Sequence, residues 1–188
     1  MRVAFRTAVP VLLLAAVLLC TGCAGAPPAS VPLLQESAFL SRDGVMRYRI
    51  PTGWFDATAD SQAVPRAVFL VRGDYAGSIS VKELHVDPAA RRDLIRTGVV
   101  QLAKLAAALE TGSGGGVLAR DPESIRVKGN EGARYDMEFG SGDRVRTVLV
   151  DTGERFYAVA ALVNAAARER TAGEIFAAQQ AFVQALSW

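Results

Sequence analysis

Residues 156–163 read Phe-Tyr-Ala-Val-Ala-Ala-Leu-Val, eight positions without a charge on either alternating face. In an extended chain Phe156, Ala158, Ala160 and Leu162 line one side, and Tyr157, Val159, Ala161 and Val163 line the other. A strand that is apolar on both faces has to be covered on both, so its sheet needs a layer above and a layer below. Two segments have the spacing to supply those layers. Ile175, Gln179, Phe182 and Leu186, with Phe176 and Val183 beside them, follow a helical repeat near the end of the chain. Ile95, Val99, Leu102, Ala106 and Leu109 do the same within residues 88–109. The expectation is an α+β fold, an antiparallel β-sheet sandwiched between helices.

The neighbouring strands can be read in the same way. Ala133, Tyr135, Met137 and Phe139 alternate with Arg134, Asp136 and Glu138, and residues 140–142, Gly-Ser-Gly, lead into Val145, Thr147 and Leu149. A three-residue loop there sets Glu138 opposite Arg144 and Asp136 opposite Arg146. A turn at Thr152 and Gly153 would place Leu149 against Phe156. Earlier, Met46, Tyr48 and Ile50 alternate with Arg47 and Arg49 until Pro51-Thr52-Gly53-Trp54 interrupts the ladder. Residues 67–71 and 78–86 form a predicted hairpin, and the apolar phase slips at Glu83, which suggests a bulge. Asp87 and Pro88 open a helix as N-cap and first residue, and the glycine-rich residues 112–116 should end it before Thr111.

The amino terminus is read as an address. Arg2 and Arg6 precede an apolar run over residues 8–20, which is shorter than the roughly 20 residues a membrane helix needs. Leu19-Cys20-Thr21-Gly22-Cys23 resembles the bacterial lipobox, with Cys20 standing where leucine is usual. Residues 1–22 are therefore expected to be a lipoprotein signal peptide and Cys23 the lipidated first residue. The alternative is an ordinary secretory signal cut near Ala24 or Ala26. Residues 23–37, with Pro27, Pro28 and Pro32, read as a linker, and residues 38–188 as one globular domain. Ala24 is not aspartate, so in a cell with an outer membrane the expected location is that membrane, on its periplasmic face. Both cysteines, Cys20 and Cys23, belong to this leader, so the fold is expected to hold without a disulfide.

Charge narrows the function classes. Of 21 basic residues two lie in the leader, leaving 19 against 19 acidic ones, a balance that gives no field for nucleic acid. His85 is the lone histidine, and no HExxH or CxxC spacing accompanies it, so no metal site or His-dependent nucleophile is expected. The glycines at 112–116 lack the Lys-Ser/Thr of a phosphate loop. Asp136 and Glu138 could act as an acid–base pair, but alternation opposite arginines reads as a solvated charge ladder. Arg47, Arg49, Arg144 and Arg146 could form a basic stripe diluted by acidic neighbours. Trp54, Phe55 and Tyr75 lie at or near turns, where an aromatic either anchors a partner or plugs its own core. No catalytic residue, metal or cofactor is assigned, and Trp54 with Arg49 is the candidate partner contact.

Three stretches together resemble the PsbP-like superfamily: FLSRDGVMRYRIPTGW over residues 39–54, GNEGARYDMEF over 129–139, and RVRTVLVDTGERFYAVAALV over 144–163, which runs into the last helix. That superfamily shares an antiparallel sheet between helices and includes photosystem proteins, a Ran-binding import factor and many bacterial lipoproteins. The resemblance implies a binding or assembly role at a membrane, with an envelope protein as partner and no catalytic residue to carry over. A lipoprotein that binds a small ligand or lipid in a cavity between sheet and helix is the alternative.

Overall fold

A computed structural model describes residues 32–60 and 67–188. The strands are β1 (Leu34–Leu40), β2 (Arg47–Pro51), β3 (Trp54–Asp56), β4 (Val68–Arg72) and β5 (Gly77–Leu84), followed by β6 (Gly116–Val127), β7 (Asn130–Phe139), β8 (Arg144–Asp151) and β9 (Phe156–Val163). Helices α1 (Pro88–Thr97) and α2 (Val99–Gly114) separate β5 from β6, and α3 (Glu169–Ala185) follows β9. Seven strands form one antiparallel sheet in the order β3-β4-β5-β9-β8-β7-β6, while β1 and β2 pair separately as a hairpin.

β9 lies in the middle of the sheet, as its two apolar faces require. On one side Tyr157, Val159, Ala161 and Val163 join Ile79, Val81, Val148 and Val150 beneath Ile175, Phe182 and Val183 of α3. Met46, Tyr48 and Ile50 of β2 close the same core. On the other side Val99, Ala103 and Ala107 of α2 rest on Ala133, Tyr135, Met137 and Leu149. Each fully buried valine, leucine, isoleucine or phenylalanine contributes about 1.5–3 kcal/mol, so these two layers dominate the stability. The sandwich expected from residues 156–163 is present.

Local details differ from the sequence reading. Residues 88–109 are not one helix, because Gly98 at φ 84° breaks the chain into α1 and α2. The break resets the helical phase, so that α2 turns Val99, Ala103 and Ala107 inward and leaves Leu109 73% exposed. Nor does the helix stop before Thr111. Thr111 and Ser113 hydrogen-bond the carbonyls of Ala107 and Leu109, and α2 ends only at Gly115 in the left-handed region.

β5 carries no bulge at Glu83, since it pairs with β9 in unbroken register from Gly77 to Leu84. The apolar phase changes there because the covered face changes: Leu84 packs on the α2 core while Glu83 turns to Arg155 at 3.1 Å. The β8–β9 turn is longer than Thr152-Gly153. Asp151 opposes Phe156 and Leu149 opposes Ala158, a shift of two residues that preserves both faces. β6, unanticipated, is an edge strand whose pairing is irregular around Pro122, which blunts an otherwise open edge. β1 starts at Leu34, inside the segment read as linker, and pairs there with Pro51.

Candidate functional site

Cys23 lies outside the described residues. Trp54 and Arg49 lie within them but do not form a joint surface. Trp54 is 7% exposed and packs in the α3-side core, so its ring plugs the sheet edge. Arg49 is exposed on the outer face of β2 opposite Ala38 and makes no ion pair among the described residues. The alternation that turns Trp54 inward turns Phe55 outward, and a count of that period would have found the exposed aromatic.

The four arginines do not form a stripe. Arg47 and Arg49 are on the β1–β2 hairpin, whereas Arg144 and Arg146 are on β8 and are neutralised. Asp136 opposes Arg146 and Glu138 opposes Arg144, the register expected from the sequence. Arg146 forks onto Asp136 with bonds of 2.8 and 2.9 Å, and its guanidinium lies 4.1 Å from the centre of the Phe176 ring. Arg144 instead reaches Glu169 of α3 at 2.8 Å. These carboxylates are structural ties and do not converge on a reactive centre. His85 is exposed and 3.9 Å from Glu83, and no group of three potential metal ligands occurs among the described residues.

Beneath the end of α2, the Tyr135 hydroxyl donates to Glu110 Oε1 at 3.0 Å, and Oε2 is buried without a partner. Burial pushes the Glu110 carboxyl above its usual range, opposed by the Tyr135 hydrogen bond. Burial, and then the Glu110 charge, push the Tyr135 phenol well above its own. This is a polar pair under a helix, with no second acid or nucleophile described beside it.

Two concavities flank the sheet. A cleft of about 110 Å³ lies between α3 and the β6–β8 strands, lined by Ile125, Arg146, Phe176 and Gln179 among others. Gln179 spans its floor, with Nε2 donating to the carbonyls of Arg146 and Val159. The larger, about 560 Å³, is an open groove between α2 and β6, formed by Lys104, Ala107, Ala108, Thr111, Leu118, Asp121 and Pro122. Leu118 is exposed within it, and Leu105 and Leu109 are exposed on α2 outside its lining. Neither was named from sequence; the trace they leave there is that leucines occur at 102, 105 and 109, on more than one side of the helix.

No protein-family model matches the chain, and no curated protein matches it by sequence. Solved structures do match. Cyanobacterial PsbP (CyanoP) from Synechocystis sp. PCC 6803 superposes with a TM-score of 0.57 at 10% identity, covering 88% of this chain and 98% of that one. The fold is PsbP-like. A Bacteroides thetaiotaomicron protein gives a TM-score of 0.50 at 12% identity, covering 80% of this chain and 47% of that one. The Saccharomyces cerevisiae Ran-binding protein Mog1p gives 0.49 at 12% identity, over 82% and 96%.

Proposed function

We propose that this PsbP-like chain is a lipid-anchored, extracytoplasmic domain without catalytic activity that binds or helps assemble an envelope protein. Residues 1–22 serve as its signal and Cys23 carries the lipid. The observation that supports the binding role is the apolar surface of α2 and β6, where Leu105 and Leu109 are exposed on the helix and Leu118 lines an open groove of about 560 Å³. None of these leucines belongs to the buried core, and exposed apolar side chains of this kind suit contact with a partner. Lys104 and Asp121 at the same groove would fix orientation by paired charges. The alternative, a ligand held between sheet and helix, finds about 110 Å³ at α3, short of the ~300 Å³ at which small-molecule pockets begin, and at α2 an open groove where an enclosed cavity would be needed.

The test is cross-linking of the full chain in its native membrane. Leu105→Glu with Leu109→Glu is expected to abolish capture of the partner while thermal unfolding stays unchanged, because both side chains are exposed. Undiminished capture would move the contact elsewhere, and turnover of an ester, phosphate or glycan by the purified protein would overturn the non-catalytic reading. Cys23→Ser is expected to eliminate fatty-acid labelling; persistent labelling would refute the anchor.

A further inference from the structure

Tyr75 has a backbone that does not suit it. Its φ is +58°, in the left-handed region that disfavours a residue with a Cβ, and yet its side chain is 69% exposed. It is the third of the four residues, 73–76, that join β4 to β5, and closes a turn there by Tyr75 N–H to the Arg72 carbonyl at 2.9 Å. Asp74 accepts from Ala76 N–H, and Ala76 in turn accepts from Asn164 N–H, so the loop is pinned in this shape. The strained ring contributes nothing to the core. Its contact is Phe55, also exposed, edge-on at 6.0 Å. A tyrosine held in a strained, pinned backbone and turned outward beside an exposed phenylalanine points to a use outside the fold.

The same end of the molecule receives the chain from its amino terminus. Thr52 N–H bonds the Leu33 carbonyl at 2.8 Å, and Gly73 N–H bonds the Gly53 carbonyl at 2.9 Å. Leu33, the 52–53 turn and the 73–76 turn are thereby linked, and Leu33 is itself exposed. Cys23 is ten residues before Leu33. Ten residues reach at most about 33–36 Å, while strands of eight to twelve residues are about 26–40 Å long. The Leu33 end is thus the part of the domain nearest in sequence to the proposed anchor, and the Lys128 turn lies at the opposite end of the sheet.

Charge at this end is largely cancelled: Arg72 pairs with Asp74 at 3.2 Å and Glu174 at 2.9 Å, and Arg144 with Glu169. Contact there needs no anionic lipid. Aromatic rings with a polar tip suit the headgroup layer, which a tyrosine at a loop tip can enter. We infer that the end of the domain formed by the 52–53 and 73–76 turns rests on the phospholipid surface, with Tyr75 and Phe55 seated in the headgroup layer. The inference builds on the proposed Cys23 anchor.

The full chain, purified from membranes and reconstituted into phosphatidylcholine vesicles containing brominated lipid, tests both. With the emission of Trp54 and Trp188 subtracted, Tyr75→Trp is expected to be quenched several-fold more than Lys128→Trp. Tyr75→Gly relaxes the turn and so keeps the fold; it should lower the quenching of a Phe55→Trp reporter. Fatty-acid labelling of the same samples reads the anchor separately. A labelled chain whose position 75 emits as position 128 does overturns the contact and leaves the anchor standing. An unlabelled chain refutes the anchor, and its quenching still decides the contact either way.

Discussion

Asp136 and Glu138 stand two residues apart on one strand, each opposite an arginine, and the structure makes their removal unequal. Asp136 and Arg146 are each 17% exposed and joined by two parallel bonds of 2.8 and 2.9 Å. Truncating one member of a fully buried pair costs about 3–5 kcal/mol, and an exposed pair contributes about 0.2–1 kcal/mol. At this partial burial Asp136→Ala should cost about 2 kcal/mol, between those limits. For a chain of this length that corresponds to a melting shift of about 4–8 °C. Arg146→Ala should cost about 0.5–1 kcal/mol more, since the guanidinium also covers Phe176. The main-chain tie from Gln179 to the Arg146 carbonyl survives both substitutions. Glu138 is exposed and its cross-strand arginine is held by Glu169, so Glu138→Ala should stay within about 0.5 kcal/mol. Urea unfolding of the single variants and the Asp136→Ala/Arg146→Ala double closes the cycle, with an expected coupling of about 1–2 kcal/mol. Equal costs at 136 and 138, or a coupling indistinguishable from zero, would refute the argument that partial burial strengthens this pair.

Gly77 is buried where β5 meets β9 and α3. A Cβ there would sit 2.7 Å from Ile175 Cδ1 and closer still to the Leu162 carbonyl oxygen, so Gly77→Ala should destabilise by about 1–3 kcal/mol in urea unfolding. Gly140→Ala meets nothing and should be nearly neutral, within about 0.5 kcal/mol. Glu110→Gln should stabilise the fold at neutral pH. The Glu110 carboxyl is pushed up in the folded state, chiefly by burial, so its favourable contribution is complete below its ordinary value near 4.5 and is lost as pH rises through the elevated folded value. The Gln variant's advantage in urea midpoint should therefore vanish in acid, and an advantage that persists there would contradict the burial cause.

What could be read from sequence was what two covered faces imprint on a chain. β9, the β7–β8 register and the inward side of α3 were legible because each residue's neighbours on the same face are buried together. The pattern failed where burial is one-sided or absent. β6 is an edge strand exposed along most of its length, so no alternation announces it. Gly98 sits inside a helical repeat and a glycine there costs only about 1 kcal/mol, so composition alone does not reveal that it breaks the helix. At Glu83 a change of covering layer imitated a bulge. The candidate surfaces were harder still, because exposed leucines and a strained tyrosine are departures from pattern, visible only once the fold shows which side of each element faces out.

Arg47 of β2 exchanges two backbone hydrogen bonds with Ser187, next to last in the chain. At the sheet's centre, β5 pairs with β9, residues whose partners lie some 80 positions later. A chain synthesised from its amino terminus therefore carries β2 without its Ser187 bridge, and β5 without β9, until residues 156–187 have been made. Closure waits for α3 and Ser187 behind it, so removing residues 186–188 would take away the clasp that fastens β2 to the carboxyl side of α3.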